Sequence, residues 1–247
     1  MKKNDEIAIT VKDLHVYYRD MNRFSLKKGG LKARGSGKIF KAIKGVSFEV
    51  PKGQILGICG KNGSGKSTML RAISGIFSAD SGSINLHENS ISLLSIGVGF
   101  QKQLTGYENI FLSGMLLGYS KEQIEEKVND IIDFSELGDF VYRPVRSYSS
   151  GMYSKLAFSI TAILETDIML IDEVLSVGDI HFKEKSYNKM KELISNDDRT
   201  VVIVSHNSNT IKELCDKVIW LHDGLIKDQG DPKVIMDKYE EFMRNEG

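Results

Sequence analysis

A short segment of this chain has the residue types and spacing needed to hold phosphate. Residues 60–67 read Gly-Lys-Asn-Gly-Ser-Gly-Lys-Ser and fit the pattern G-x-x-x-x-G-K-[ST]. Glycines let such a loop turn tightly and aim its N–H groups inward, and the helix that follows adds positive partial charge. The expected phosphate contacts are Gly60, Asn62, Gly63, Ser64, Gly65, Lys66, Ser67 and Thr68. Lys66 would reach the β- and γ-phosphates of a nucleotide, and the Ser67 hydroxyl would ligate Mg²⁺.

Two carboxylates follow an apolar run further along the chain. Residues 168–173 read Ile-Met-Leu-Ile-Asp-Glu, which predicts a buried strand with both acids at its carboxyl end. Ligands of open α/β sheets lie at that end. We expect Asp172 to hold Mg²⁺ through water, and Glu173 to lie closer to the γ-phosphate and accept a proton from the attacking water.

A second apolar run, residues 201–206, ends in Ser205 and His206. We expect His206 to contact the γ-phosphate and to position the water and Glu173; the alternative is a histidine that only caps or satisfies local groups. The other four histidines lack such a position and receive no role: His15, His87, His181 and His222. The sequence shows no metal-ligating cluster and no Ser-His-Asp arrangement.

The elements that would carry these residues alternate between strands and helices. The predicted strands cover residues 7–18, 46–50, 54–60, 168–171 and 201–204, with further short strands within 83–96. The predicted helices cover 67–77, 182–194 and 208–215, and the pattern is helical throughout 105–164. In residues 121–134 an apolar stripe is formed by Ile124, Val128, Ile131 and Ile132. This alternation predicts a parallel sheet covered on both faces.

Composition sets outer limits on the protein class. The 247 residues suit one large domain or two small ones, and 41% hydrophobic with 27% charged residues is typical of globular proteins. Lys+Arg and Asp+Glu are 33 each, so net charge points to no particular partner. The two cysteines, Cys59 and Cys215, lie in apolar contexts, which suits a reducing compartment. We identify no leader and no apolar span near 20 residues, and expect a cytoplasmic protein.

The stretch from Arg19 to Lys44 is basic and glycine-rich, with Asp20 as its one acid. A charge run of this kind is most often a solvated loop. The alternative is a contact with anionic lipid headgroups or with a protein partner. Nucleic acid is a weaker alternative, and we expect no nucleic-acid partner.

A small-residue segment lies between the phosphate loop and the acidic strand. Ser149, Ser150 and Gly151 open the helical run 153–164, where they could present N–H groups and hydroxyls to an anion. A plain helix cap explains Ser149 equally well. In its position, Tyr148-Ser149-Ser150-Gly151-Met152 resembles the LSGGQ signature of ATP-binding cassette (ABC) proteins, although Ser150 and Met152 depart from the commonest Gly and Gln. Residues 176–179 resemble the D-loop of that family.

The order of these motifs makes the whole chain similar to an ABC nucleotide-binding domain. That resemblance implies an α/β fold with a mostly parallel core sheet, an N-terminal antiparallel β subdomain and an inserted helical subdomain. We expect a single domain over 1–247, with the helical subdomain at about 105–165 and a basic insertion at about 19–41. Ser149, Ser150 and Gly151 would then contact the ATP held by the partner's Lys66, with Asp179 nearby, so the protein would act as a homodimer.

Two further roles come from the same resemblance, each with an alternative. Tyr18 matches the aromatic residue that stacks on adenine, with Tyr17 or Phe40 as alternatives. A glutamine between the phosphate loop and the helical part should contact Mg²⁺ and act as a hinge. Both Gln101 and Gln103 qualify, and Gln103 is preferred because residues 103–109 match the subfamily described next.

That subfamily is the ATPase subunits of bacterial polysaccharide exporters, of the O-antigen and wall teichoic acid type. The resemblance rests on the basic insertion and on the stretches 42–48, 104–110, 134–138, 148–152 and 172–179. It implies ATP and Mg²⁺, a separate integral membrane permease dimer, a lipid-linked polysaccharide, and a peripheral position on the cytoplasmic face of the inner membrane. Some such subunits carry a C-terminal sugar-binding domain, which we do not expect here. Alternatives are a drug or lipid exporter and, less favoured, an ABC ATPase acting on ribosomes or nucleic acid.

Overall fold

A computed structural model describes residues 6–19, 39–94, 99–172, 179–194, 199–205 and 207–246. Several predictions concern residues outside these ranges: most of the basic insertion, Glu173, residues 176–178 and His206. The strands are β1 (Ile7–Arg19), β2 (Ile39–Pro51), β3 (Ile55–Cys59), β4 (Ser81–Asn85), β5 (Ile91–Leu94), β6 (Ile168–Ile171), β7 (Thr200–Val204), β8 (Lys217–His222) and β9 (Leu225–Gly230). The helices are α1 (Lys66–Ile73), α2 (Gly106–Leu116), α3 (Lys121–Ser135), α4 (Ser150–Ile163), α5 (Ile180–Ile194), α6 (Ser208–Leu214) and α7 (Pro232–Glu246).

The central sheet has the strand order β5-β6-β7-β3-β8-β9. Neighbouring strands from β5 to β8 are parallel, and β9 pairs antiparallel with β8. Every residue of β6 and β7 is buried, because both faces of the sheet are covered. In β6, Ile168 and Leu170 face one core with α1 and the antiparallel strands, while Met169 and Ile171 face a second core with α4 and α5. The predicted parallel sheet is therefore confirmed.

A second sheet, ordered β2-β1-β4, is antiparallel. Strand β2 begins at Ile39, so the loop prediction for residues 39–44 was wrong. These residues pair with the end of β1, where Tyr18 opposes Phe40 and Tyr17 opposes Lys41. Lys41 and Lys44 are exposed while Ala42 and Ile43 between them are buried, so a basic composition is compatible with a strand.

The helical region between β5 and β6 contains α2, α3 and α4. Two 3₁₀ turns, Gly138–Tyr142 and Val145–Ser147, lie between α3 and α4. Its core includes Ile110, Ile124, Ile131, Leu156 and Ile160. Helices α2 and α3 each begin with a capping box, set by Thr105 and Ser120. The expected α/β fold with an inserted helical part and an N-terminal antiparallel sheet is confirmed.

Residues 216–246, for which no element was predicted, form β8, β9 and α7. Trp220 of β8 packs edge-on against Tyr239 and Phe242 of α7, with ring centroids 5.5 and 5.2 Å away. Cys59 and Cys215 border this core as free cysteines, and burial raises the pKa of each thiol to about 12. Among the described residues, no helix combines the length and apolarity needed to cross a membrane.

Phe182 of α5 joins the central sheet to the helical region. It is fully buried, and its ring lies 5.8 Å from that of Phe134 in α3 and 6.1 Å from that of Phe158 in α4. We expect Phe182→Ala to lower the free energy of unfolding by about 3–5 kcal/mol through the cavity it leaves. Urea unfolding would measure this. The control Tyr187→Ala removes a ring that is 45% exposed on the same helix and should change stability far less. Equal losses from both changes would contradict this role for Phe182.

Candidate nucleotide-binding site

The phosphate loop joins β3 to α1 beneath the neighbouring strand β8. Gly60 has φ 147°, and a Cβ there would lie 2.1 Å from the carbonyl oxygen of Leu221. Gly65, at φ 106°, precedes the first residue of α1, and a Cβ there would lie 2.6 Å from the carbonyl oxygen of Ala42. Neither position can accept a side chain without moving backbone, so the glycines of the motif fix the path of the loop.

The loop encloses the ammonium group of Lys66. This residue is 6% exposed, and its Nζ donates to the carbonyl oxygens of Gly60 at 2.7 Å and Lys61 at 3.0 Å. The hydroxyl of Ser64 is fully buried and has no hydrogen-bond partner among the residues that the structure describes. A buried cation, an unsatisfied hydroxyl and a helix N-terminus together fit an anionic ligand such as a nucleotide phosphate.

The order of the strands places Asp172 on the same edge of the sheet as the phosphate loop. Strand β7 lies between β3 and β6, with Ile58 opposite Val204 and Ile171 opposite Ile203. Asp172 follows Ile171, so it lies two strand spacings, roughly 10 Å, from the end of β3. That separation is compatible with the water-mediated contact to Mg²⁺ expected for Asp172, which stays a prediction.

Among the three candidate aromatic residues, the structure brings Tyr18 and Phe40 close to α1. The Tyr18 hydroxyl is hydrogen-bonded to that of Thr68 at 2.9 Å, and its ring stacks on Phe40 with centroids 6.4 Å apart. The Tyr18 ring is also edge-on to Phe77 at 5.9 Å. Tyr17 points to the opposite face of β1, where its hydroxyl bonds His15 Nδ1 at 3.0 Å. Tyr18 and Phe40, rather than Tyr17, are therefore placed beside the phosphate loop helix.

Gln101 and Gln103 are both exposed in a turn that precedes α2. The turn is closed by a hydrogen bond from Leu104 N to the carbonyl oxygen of Gln101, at 3.1 Å. It is also bonded to the segment that leads into the signature residues. Val145 N donates to Leu104 O at 2.9 Å, and Arg146 N donates to Lys102 O at 2.8 Å. The glutamine turn and the approach to α4 are thus joined through their backbones.

The signature residues lie at the N-terminus of α4. Ser149 caps this helix, its Oγ accepting from Met152 N at 3.1 Å. Ser149 and Ser150 are exposed, and a Cβ at Gly151 would meet no atom closer than 3.8 Å. The cap geometry is what a helix N-terminus requires, and the same geometry leaves the segment accessible to a ligand or to a second chain.

Asp179 is held by an interaction that the sequence did not reveal. Its carboxylate caps α5 by accepting from Phe182 N at 3.0 Å, and it forms an ion pair of 2.8 Å with Lys155 of α4. The hydrogen bond from Lys155 is the main reason why the pKa of Asp179 is lowered to about 2. Lys155 also pairs with Glu136 at 3.1 Å, and Glu136 with Lys185 at 3.0 Å. This network joins α3, α4 and α5; only its three-dimensional arrangement identifies Lys155, Glu136 and Lys185.

The family match spans the motifs described above. A family described as ABC transporter matches residues 43–176, which include the phosphate loop, the signature segment and the acidic strand. This chain belongs to the ABC transporter family.

Curated relatives of this ABC protein include export ATP-binding proteins. It is 44% identical over 208 residues to the teichoic acids export ATP-binding protein TagH of Bacillus anthracis, covering 84% of this chain and 38% of that protein. It is 40% identical over 207 residues to the O-antigen export system ATP-binding protein RfbB of Klebsiella pneumoniae, covering 84% of each. For RfbB of Myxococcus xanthus the identity is 40% over 203 residues, with 82% and 46% covered. The chain thus spans less than half the length of two of these relatives.

Solved structures with the same fold are more distant in sequence. An ATP-binding cassette in a dimeric post-hydrolysis state bound to ADP and Pi gives a TM-score of 0.70 at 21% identity, covering 91% of this chain and 98% of that one. The ATP binding subunit of an ABC transporter gives 0.71 at 22% identity, covering 94% and 93%. Both likenesses establish the fold.

The ion pair of Asp179 predicts an acid-dependent contribution to stability. Because the pKa of Asp179 in the folded chain, about 2, lies below its ordinary value of 3.8, the ionised carboxylate stabilises the fold above about pH 4. This contribution is lost as the pH falls from about 4 towards 2. Asp179→Asn retains a helix cap but loses the ion pair, so it should be less stable than wild type at pH 7 and converge with it near pH 2. Urea unfolding across this pH range, with Asp139→Asn at an exposed position as control, tests the ion pair. If the free energies of unfolding of wild type and Asp179→Asn changed in parallel with pH, the ion pair would be excluded as a source of stability.

Proposed function

We propose that this chain is the ATPase subunit of an ABC transporter that exports a lipid-linked polysaccharide, an O-antigen or a teichoic acid, through a separate membrane permease. The enclosed Lys66 ammonium within a glycine-constrained loop supports nucleotide binding, and the names of the relatives support the cargo class. We further propose that residues 1–247 form one nucleotide-binding domain with its helical subdomain at about 105–165. The chain would act as a peripheral protein on the cytoplasmic face of the inner membrane.

Nucleotide binding would use the loop as a preformed anion site. The backbone N–H groups of residues 60–68 and the Ser64 hydroxyl would contact phosphate oxygens. Lys66 would exchange its two carbonyl partners for the β- and γ-phosphates, so its charge need not be desolvated at the moment of binding. Tyr18 would stack on the adenine ring, with Phe40 packed beside it.

We propose that Mg²⁺ would be held by Ser67, Asp172 and one of Gln101 and Gln103. All three supply oxygen atoms, which this hard cation prefers. When bound, the ion neutralises charge on the β- and γ-phosphates. Glu173 would take the proton from the attacking water, and His206 would contact the γ-phosphate and keep the water and Glu173 in position.

A second copy of the chain would complete each site. Ser149, Ser150 and Gly151 are accessible at a helix N-terminus and would contact the γ-phosphate bound by the partner's Lys66. ATP would favour the closed homodimer, because these contacts exist only there. Hydrolysis removes them and lets the pair reopen. Through its ion pair with Lys155, Asp179 is tied to the signature helix of its own chain.

The permease would dock where the helical region meets the sheet. A groove of about 120 Å³ lies there, and its lining includes Ile76, Phe100, Leu116 and Ile160. Of these lining residues, Ile76 is 45% and Leu116 62% exposed. A groove lined by exposed apolar side chains is a candidate interaction site on a folded protein. Because Phe100 lines the groove and immediately precedes Gln101, a movement of the glutamine turn would change the surface that a partner in this groove contacts.

The assignment of the base predicts the behaviour of Glu173→Gln. This variant should keep ATP binding but lose hydrolysis by about 100-fold or more, since the amide cannot accept the proton. It should accumulate as a closed dimer with ATP, visible by size-exclusion chromatography. The control Glu126→Gln changes an exposed glutamate of α3 and should hydrolyse ATP at the wild-type rate. Near-normal hydrolysis by Glu173→Gln would exclude it as the base.

Composite sites predict complementation between two inactive variants. Ser149→Arg and Lys66→Ala should each abolish hydrolysis as homodimers. Mixed together, they form heterodimers in which the Lys66 of one chain meets the Ser149 of the other, restoring one site. Random pairing and independent sites then give up to about one quarter of wild-type activity.

Two controls accompany this mixture. A chain carrying both changes should rescue neither single variant. Ser120→Arg removes a serine cap of the same kind from α3 and should retain activity, which separates loss of a cap from loss of the site. Equal activity of the mixture and of the separate variants would contradict composite sites.

A further inference from the structure

One buried amide holds the turn that carries the two candidate glutamines. Asn109, in the first turns of α2, is fully buried. Its Oδ1 accepts from Gln101 N at 2.7 Å, and its Nδ2 donates to Gln101 O at 3.0 Å and to Thr105 O at 2.8 Å. A longer contact of 3.4 Å reaches Leu104 O. The donor and acceptor capacity of this side chain is therefore used on backbone groups around Gln101.

These hydrogen bonds hold the backbone of Gln101 and do not involve that of Gln103. Both the N–H and the C=O of Gln101 are bonded to Asn109, so the orientation of its backbone is fixed relative to α2 while its side chain remains exposed. Gln103 lies inside the turn that Gln101 and Leu104 close. The backbone hydrogen bonds from Val145 and Arg146 reach its neighbours Leu104 and Lys102 instead. Gln101 is also nearer along the chain to β5, which pairs with β6 up to Leu94 opposite Ile171, next to Asp172.

We propose that Asn109 is a positioning residue that holds Gln101, and that Gln101 rather than Gln103 presents its amide oxygen to nucleotide-bound Mg²⁺. This proposal rests on the proposed ATPase function. Groups that orient a metal ligand contribute to metal affinity because they hold the ligand in a productive position before the ion arrives. Since Asn109 is part of α2, it also makes Gln101 move with the helical region.

The test variant is Asn109→Asp. Its carboxylate can still accept from Gln101 N but cannot donate to the carbonyl oxygens of Gln101 and Thr105. The matched control is Asn89→Asp. Asn89 braces another turn in the same way, its Nδ2 donating to Leu86 O at 2.6 Å, His87 O at 3.3 Å and Ala8 O at 3.4 Å, away from the glutamines.

Two measurements distinguish positioning from general stability. The first is the Mg²⁺ concentration that gives half-maximal ATP hydrolysis; the second is ATP affinity by calorimetry, with Mg²⁺ and with EDTA. Asn109→Asp should raise the required Mg²⁺ concentration and weaken Mg²⁺-dependent ATP binding by about tenfold or more. ATP affinity in EDTA should stay close to that of wild type. Asn89→Asp, at a position that is only partly buried, should lower the thermal midpoint less and leave both Mg²⁺ measurements unchanged.

Double variants decide which glutamine is involved. Gln101→Ala should show the same loss as Asn109→Asp, and the two changes together should be no worse than either alone, because they remove one interaction. Gln103→Ala should leave Mg²⁺ dependence unchanged. The proposal is overturned if Gln103→Ala causes the loss, if the effects of Asn109→Asp and Gln101→Ala multiply, or if Asn109→Asp behaves like Asn89→Asp. A wild-type chain that bound no ATP would instead overturn the proposed function on which this inference rests.

Discussion

The buried ammonium of Lys66 sets the conditions that the surrounding structure has to meet. The ammonium of a residue that is only 6% exposed needs polar partners, and two carbonyl oxygens of its own loop are among them. Those carbonyls face inward because the loop turns at Gly60 and Gly65, where neighbouring backbone leaves no room for a side chain. The loop is in turn held by the buried parallel strands on either side of β3. Phosphate binding therefore depends on tight packing of backbone against backbone.

A second constraint connects the parts of the chain that would move. The glutamine turn is bonded to residues 145 and 146, which lead directly into the signature helix. That helix carries Lys155, whose ion pair holds Asp179, the first described residue after Glu173. These links make the glutamine turn, the signature helix and the start of α5 one connected set of elements. A displacement at the nucleotide can then reach the helical region through hydrogen bonds and ion pairs that are already formed.

Local patterns were sufficient to predict the phosphate loop and strands such as β3, β6 and β7, but they did not predict β8 or β9. Strand β6 lies where its apolar run predicted it, because burial on both faces demands an uninterrupted apolar segment. Strand β2 starts earlier than predicted. Its lysines near Phe40 are exposed, and composition alone cannot distinguish a strand with exposed lysines from a loop. The pairing of Lys155 with Asp179 could not be predicted, because it depends on how α4 packs against α5. The role of Asn109 could not be predicted either, because nothing in the local sequence shows that an asparagine in the first turn of a helix is buried and bonded to a neighbouring turn.

The signature segment shows how one geometry serves two purposes. Ser149 satisfies the helix terminus with its own Oγ, so the segment is stable in a single chain, and its exposed N-terminal groups remain available to an anion. A segment that needed a ligand in order to fold would couple folding to nucleotide binding. Since the cap is already complete, the partner's ATP would meet a preformed surface, and the binding energy of the γ-phosphate would remain available for closing the dimer.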